Sequence, residues 1–310
     1  MSRRYRLGIA MLCVAVAVLA GIAAGLGVLA RGDGVYETVT SARGEVYEVA
    51  TSGVYAGNAR QLVAEGVGWD VFTVLVTVPA MLAGAWLIAR GSRHGTLLTT
   101  GLLGYFAYMY LEYSVTWAFG PLFPLFVAIT ALSVVSLIAS AGLLSTQTIQ
   151  FDDRYPRRSW AALSIGMALL LTLLWAERIA TGLQAGPTPT LLGETTMTVQ
   201  ALDLGLVVPV SVLVGIAVWR RVPVGMVAGE AFGVTFVAMS FAIAAMMVSA
   251  SIVTGVLQLP PIVMFGVAGA AGLLVVGRMY TSAALDVPAG ESTELTSTRV
   301  AEPTVGRSSA

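Results

Sequence analysis

Eight apolar runs of helix length follow one another along this chain, at about 7–30, 70–89, 96–119, 122–144, 160–180, 199–219, 224–250 and 262–277. A bilayer core of roughly 30 Å is crossed by about 20 apolar residues in a helix, each rising about 1.5 Å. In hydrocarbon the backbone must satisfy its own hydrogen bonds, so runs of this length fold as helices. The expected fold is therefore all-α: a polytopic membrane helix bundle of about eight transmembrane helices. Composition agrees, since 57% of the 310 residues are hydrophobic and only 11% are charged, far from the soluble average of about 25% charged.

The first run follows the basic stretch 2–6, SRRYR. Its apolar core exceeds the roughly 7–15 residues of a signal-peptide core, and Val28-Leu29-Ala30 is a poor cleavage site, so 1–30 reads as an uncleaved first helix. Gly21 and Gly25 fit either a close helix contact or ordinary membrane-helix composition.

Arginines alternate between the two sides. Arg3, Arg4 and Arg6 precede the first run; Arg90 and Arg93 lie between runs two and three; Arg154, Arg157 and Arg158 between four and five; Arg220 and Arg221 between six and seven; Arg278 ends the eighth. On the other side Arg31, Arg43 and Arg60 share the long first loop with six acids, counting Asp70, and Arg178 stands at a run's end. The positive-inside bias then puts both termini in the cytoplasm of a multi-pass cell-membrane protein.

The loop 31–69 is the one long polar segment between runs. It repeats VYETVTS (35–41) as VYEVATS (46–52) around Ala42-Arg43-Gly44. Alternation suggests a hairpin, while the eleven-residue period also suits a surface helix. A short amphipathic helix is expected at 58–66, leading to Trp69 as an interface anchor. Residues 70–280 form the remaining seven-helix bundle, and the Ser/Thr/Glu/Pro-rich 281–310 reads as a disordered cytoplasmic tail.

Absences narrow the chemistry. All 17 basic residues are arginine, so Schiff-base chemistry has no lysine. Cys13 and His94 are the single cysteine and histidine, which removes an intrachain disulfide, a bis-His haem and an H-E-x-x-H zinc site. No cofactor or metal is expected, and a net charge of zero gives no reason to expect nucleic acid. An enzyme would need a two-carboxylate mechanism, for which Glu112 and Asp203 are the candidates.

The polar residues inside the runs carry the functional reading. Tyr105, Tyr108 and Glu112 share a helix face. At about 1.5 Å per residue, Glu112 lies about 24 Å from the inner end of its run and Asp203 about 6 Å from the outer end of its own. Glu177 and Arg178 sit at the outer end of the fifth run. The expectation is an outward-facing cluster: Glu112 and Asp203 as carboxylates, Arg178 as counter-ion, and Tyr105, Tyr108, Tyr113 and Gln200 as hydrogen-bond partners. Such a cluster either staples helices or also binds a solute or proton, and the tyrosines read equally as an interfacial belt. Pro79 and Pro209 free the carbonyls of Leu75 and Gly205, so both helices should distort, the second beside Asp203. Glu230, within Gly225-xxx-Gly229-xxx-Gly233, either reaches Arg220 or Arg221 at the inner surface or forms an inner gate.

GLLGYFAYMYLEYSVTWAFGPLF at 101–123, VQALDLGLVVP at 199–209 and the turn Ala89-Arg90-Gly91-Ser92 together resemble a family of uncharacterised multi-pass integral membrane proteins of bacteria and archaea. The resemblance spans runs two to six and implies a membrane bundle, with no activity or site to carry over. Two functions stand. One is a small-solute or proton-coupled transporter; an inverted internal repeat would support it, and none is readable here. The other is a non-catalytic sensor, assembly factor or partner subunit that binds a protein through 31–69.

Overall fold

The computed structural model describes residues 3–145, 149–186 and 190–285. Seven helices among them are long and apolar enough to cross a membrane: α1 (Arg3–Leu29), α2 (Arg60–Ala89), α4 (Phe123–Ser145), α5 (Arg157–Gln184), α6 (Thr198–Trp219), α7 (Pro223–Thr254) and α8 (Leu259–Thr281). The remaining long helix, α3 (Arg93–Thr116), holds the most polar of the eight runs. It packs against α2, α4 and α7 and buries most of its length. A helix shielded from lipid can carry tyrosines and a carboxylate at no cost in exposed polar surface. The other helices turn apolar side chains outward, among them Met11, Leu75, Ile138, Leu213 and Leu274.

Two expectations for 31–69 are decided. Strands β1 (Tyr36–Thr40) and β2 (Val46–Ala50) pair antiparallel, Tyr36 opposite Ala50 and Thr40 opposite Val46, so the hairpin holds and the surface helix does not. The separate helix expected at 58–66 is instead the opening of α2, which starts at Arg60. Trp69 is consequently no interface anchor: it is 6% exposed and donates to Tyr105 Oη at 2.6 Å. At the far end of the chain, β3 (Ile149–Phe151) pairs antiparallel with β4 (Ala283–Leu285). Of the expected disordered tail 281–310, Thr281 ends α8 and 283–285 are a strand, and 286–310 lie outside the described residues.

Neither proline breaks its helix. Each follows a single wide turn, Thr73–Thr77 before Pro79 and Asp203–Val207 before Pro209, which absorbs the missing amide. The two helices also end alike. Gly91 N–H bonds Ile88 O at 2.8 Å and Ser92 N–H bonds Leu87 O at 3.0 Å; Arg221 N–H bonds Val218 O at 3.1 Å and Val222 N–H bonds Ala217 O at 3.0 Å. Gly91 (φ 83°) and Arg221 (φ 58°) occupy the same left-handed position. Wide turn, proline and cap recur at one constant displacement along the chain.

The similarity extends to packing. In α1–α4 each helix packs on the next, and so does each in α5–α8. The molecule is a repeat of two four-helix halves. Four helices return the chain to the end of the bundle where it began, so the halves run parallel, unlike the inverted arrangement considered from sequence. The halves meet asymmetrically. On one side α2 lies close against α7, with Gly68 facing Ser249 and the Ala245 backbone. On the other, α6 packs on α5 and α7 while α4 packs on α3 and α1, and a cleft remains between α4 and α6.

Candidate functional site

The tyrosines of α3 divide between the two halves. Tyr105 turns to α2, where its hydroxyl meets Trp69 Nε1 and, at 2.8 Å, Thr73 Oγ1. Tyr108, one turn on, donates to Asp203 Oδ1 on α6. Thr73 and Asp203 are equivalent, each the first residue of its wide turn. Trp175 Nε1 on α5 donates to Asp203 Oδ2 at 2.8 Å. Tyr105, Tyr108, Tyr110 and Tyr113 are all buried, so the interfacial-belt reading fails: the rings of Tyr105, Tyr110 and Tyr113 pack on Trp69, Phe106, Phe126 and one another.

The expected acid–guanidinium convergence is met only in part. Glu112 is buried, and the charged groups within electrostatic reach of it are Glu194, Glu65 and Asp203, all acids. Arg178 is not their counter-ion. Its Nη2 donates to Thr190 O at 2.6 Å, and it enters no ion pair among the described residues. A guanidinium at a helix end finds a loop carbonyl without leaving water, which a reach towards Glu112 would require. Glu177 is exposed and Gln200 half-buried, both outside the hydrogen-bonded set.

Sequence reasoning missed Trp175 as a site residue, and it missed Asp70. Asp70 is 1% exposed, accepts from Tyr55 Oη at 2.5 Å, and leaves Oδ1 with no partner among the described residues. Its signal was present: an acid upstream of a mid-run proline, as with Asp203 and Pro209.

The hairpin closes the end of the bundle opposite the arginine-rich one. The Glu45 carboxylate accepts the N–H groups of Leu191 at 3.1 Å, Leu192 at 3.0 Å and Gly193 at 3.4 Å, and Arg43 Nη2 donates to Thr195 O at 2.6 Å. A loop of the first half is thereby strapped to a loop of the second. Burial holds the Glu194 carboxyl beside this strap above the usual carboxylate range. Asp33 lies below it, held there by hydrogen bonds from the Ser52 hydroxyl and the Val35 amide.

At the opposite, arginine-rich end, Glu230 pairs neither with Arg220 nor with Arg221. Its partner is Arg93, the first residue of α3, in an ion pair whose side chains are 3% and 0% exposed. Arg221 pairs with Asp153 at the surface instead, at 3.3 Å. The glycine seam around Glu230 is real: Gly225 faces Ala217, Gly229 faces Val218 and Gly233 faces Val276.

The cleft between the halves encloses about 860 Å³, within the 300–1,000 Å³ typical of ligand pockets. It runs from Tyr108 and Asp203 to Ser145 and Pro223 at the arginine-rich end, and its lining on α6, from Asp203 to Val214, covers about 16 Å at 1.5 Å per residue. Its walls are mostly apolar, and Asp203 is the one charged residue in them among the described residues. Val134 on α4 and Leu206 on α6 line it and are also exposed, at 42% and 45%, so it opens sideways where lipid would lie.

Set against known protein families, curated proteins and solved structures, the chain matches none. The geometry stands alone: a long apolar chamber with one carboxylate near its hairpin end, further acids beyond it, and no guanidinium in an ion pair with any of them among the described residues.

Proposed function

We propose that this integral membrane protein crosses the bilayer eight times, with both ends in the cytoplasm of a cell-membrane protein, and serves as a carrier for a small amphipathic organic cation. The eighth crossing is α3, whose 24 residues span about 36 Å. The orientation rests on the arginines gathered at one end of the bundle.

The observation that carries the proposal is the pairing of an apolar chamber with a carboxylate that has hydrogen-bond donors but no ion-pair partner among the described residues. Tyr108 and Trp175 use two of the roughly four lone-pair directions of Asp203. A cation can take the others, while its apolar body fills the chamber. Glu112, Glu65 and Glu194 add negative potential on the outer side, favouring entry of positive charge there. The parallel repeat supports carriage, because carriers of this kind place their site between two such halves.

The test is binding of tetraphenylphosphonium to the purified protein, followed by quenching of Trp175 fluorescence against a Trp175→Phe control. Saturable binding that falls about tenfold or more in Asp203→Asn is expected, the loss of one buried charge contact. Equal binding by parent and Asp203→Asn would leave the chamber as a seat for lipid chains only. Counterflow of the labelled cation in proteoliposomes then tests carriage. The reading of 31–69 as a free docking surface for a protein has less support, because Arg43 and Glu45 are committed to 190–195 within the same molecule.

A further inference from the structure

The buried pair at the arginine-rich end joins the two halves. Arg93 belongs to α3 of the first half and Glu230 to α7 of the second. Only one oxygen of Glu230 is used: Oε1 is buried with no partner among the described residues, as are Arg93 Nε and Nη1, Trp160 Nε1 and Tyr280 Oη. Buried polar atoms in a native protein are nearly always satisfied, if not by protein then by ordered water. Five such atoms drawn from α3, α5, α7 and α8 around one ion pair mark a place that holds water, rearranges, or does both.

We propose that Glu230 is a proton-binding site and that its ion pair with Arg93 is the closure between the halves at the cytoplasmic end. Its purpose rests on the carrier reading above, for which it supplies the second opening. The ligand is a proton from the cytoplasmic solution, delivered through water held by the unsatisfied donors.

The coupling follows from electrostatics. With Glu230 ionised, Arg93 is neutralised and both stay buried. A proton on Glu230 leaves the Arg93 guanidinium buried without a counter-charge, which the interior does not tolerate. Arg93 begins its helix beside exposed His94, so a short outward movement of the α3 end returns it to water. Proton binding and separation of α3 from α7 are then linked, and linkage is reciprocal.

The groups that face Glu230 fit this role. Besides Arg93 they are Tyr280 on α8 and Tyr155 ahead of α5, both within electrostatic reach. Tyr155 donates to Met226 O at 3.3 Å. On α6, Arg220 and Arg221 are exposed, and Arg221 is engaged by Asp153. The acids of α2, Glu65 and Asp70, belong to the hairpin half of that helix. Arg93 is therefore the one buried cation beside Glu230 among the described residues.

Cys13 is the single cysteine, so a Cys13→Ala chain accepts one reporter thiol. Ala228→Cys places it in the chamber wall two residues from Glu230. In nanodiscs, with both faces accessible, its reaction with a membrane-impermeant methanethiosulfonate is timed in alkaline and acidic buffer. Rates are corrected for thiolate content with a free-cysteine standard. The corrected rate should rise roughly tenfold on acidification, and Glu230→Gln, a mimic of the protonated side chain, should label fast at every pH. The charge-free double variant Arg93→Gln/Glu230→Gln should lose the pH response, and it serves if the single variant does not fold. A flat profile in the parent, or a parent-like pH response in either variant, would overturn the proposal. The reagent is the anionic sulfonatoethyl methanethiosulfonate and no organic cation is added as ligand, so a failure of tetraphenylphosphonium binding leaves this result standing. Equally, a flat profile leaves the binding site standing.

Discussion

At Gly68 α2 lies directly against the α7 backbone, and Gly68→Ala tests how the halves join. A Cβ built there falls 2.7 Å from Ser249 Cβ and 2.9 Å from the Ala245 carbonyl carbon, with the Ala245 oxygen nearer still. Ordinary carbon contacts lie at about 3.5–4.0 Å, so the helices must part by roughly 1 Å. Two of the obstructing atoms are backbone and cannot rotate away. Overpacking of this kind costs about 1–3 kcal/mol, and the strained seam includes the 2.6 Å bond from Ser249 Oγ to Ala64 O. Against this, alanine gains up to about 1 kcal/mol over glycine in a helix. The net expectation is a loss of about 1–2 kcal/mol. Gly25→Ala is the control, because a Cβ there meets nothing within 4 Å and only the helix-propensity gain of up to about 1 kcal/mol remains. Unfolding in mixed micelles, followed by circular dichroism as a function of dodecyl sulfate fraction, should separate the two by the overpacking cost of about 1–3 kcal/mol, because the propensity gain is common to both. Equal midpoints would refute the close seam and, with it, the assignment of the open side to α4 and α6.

Arg221 takes a left-handed conformation with φ 58°, where its counterpart in the other half is glycine. Arg221→Gly should therefore stabilise the fold by about 1 kcal/mol, since the exposed bond to Asp153 contributes little; an unchanged unfolding midpoint would contradict the equivalence of the caps. Glu45→Ala removes the acceptor for three amides. At about 1.5–3 kcal/mol for a bond to a charged group, hydrogen exchange at Leu191–Gly193 should quicken at least tenfold, while exchange in α3 stays as it was. Burial raises the Glu194 carboxyl, so its ionised form is the disfavoured one in the fold. Its contribution is thus favourable below the ordinary carboxylate range and is lost as pH rises through the raised value. Glu194→Gln should flatten that limb of the stability profile and stabilise the protein at neutral pH. Hydrogen bonds to Asp33 give the opposite sign, so Asp33→Asn should remove a contribution that is present at neutral pH and fades on acidification.

Only a part of the candidate site is legible in the sequence. Glu112 and Asp203 were expected near one another because each sat in an apolar run at similar depth, and Tyr108 does reach Asp203. Arg178 was assigned to them by charge alone, and charge alone does not decide direction: a long side chain at a helix end turns to the nearest acceptor that keeps it hydrated, here Thr190 O. The error at Glu230 has the same root. Arg220 and Arg221 are close in sequence, but Arg93 is close in space, and no local pattern announces a contact made between two halves of a bundle.

The repeat shows the boundary most clearly. Run lengths, the prolines and the alternating arginines follow from the sequence, because lipid imposes one local rule on every segment: satisfy the backbone internally and keep charge at the ends. The wide turns hide the equivalence of Thr73 with Asp203, since the two halves share geometry there and not residues. Which helix escapes lipid, which flank closes and which stays open were decided only when eight helices competed for the same neighbours. Gly68 lets α2 reach α7, and nothing comparable draws α4 to α6. Hydrocarbon acts on each segment separately and can be read one residue at a time; close packing acts between segments and cannot.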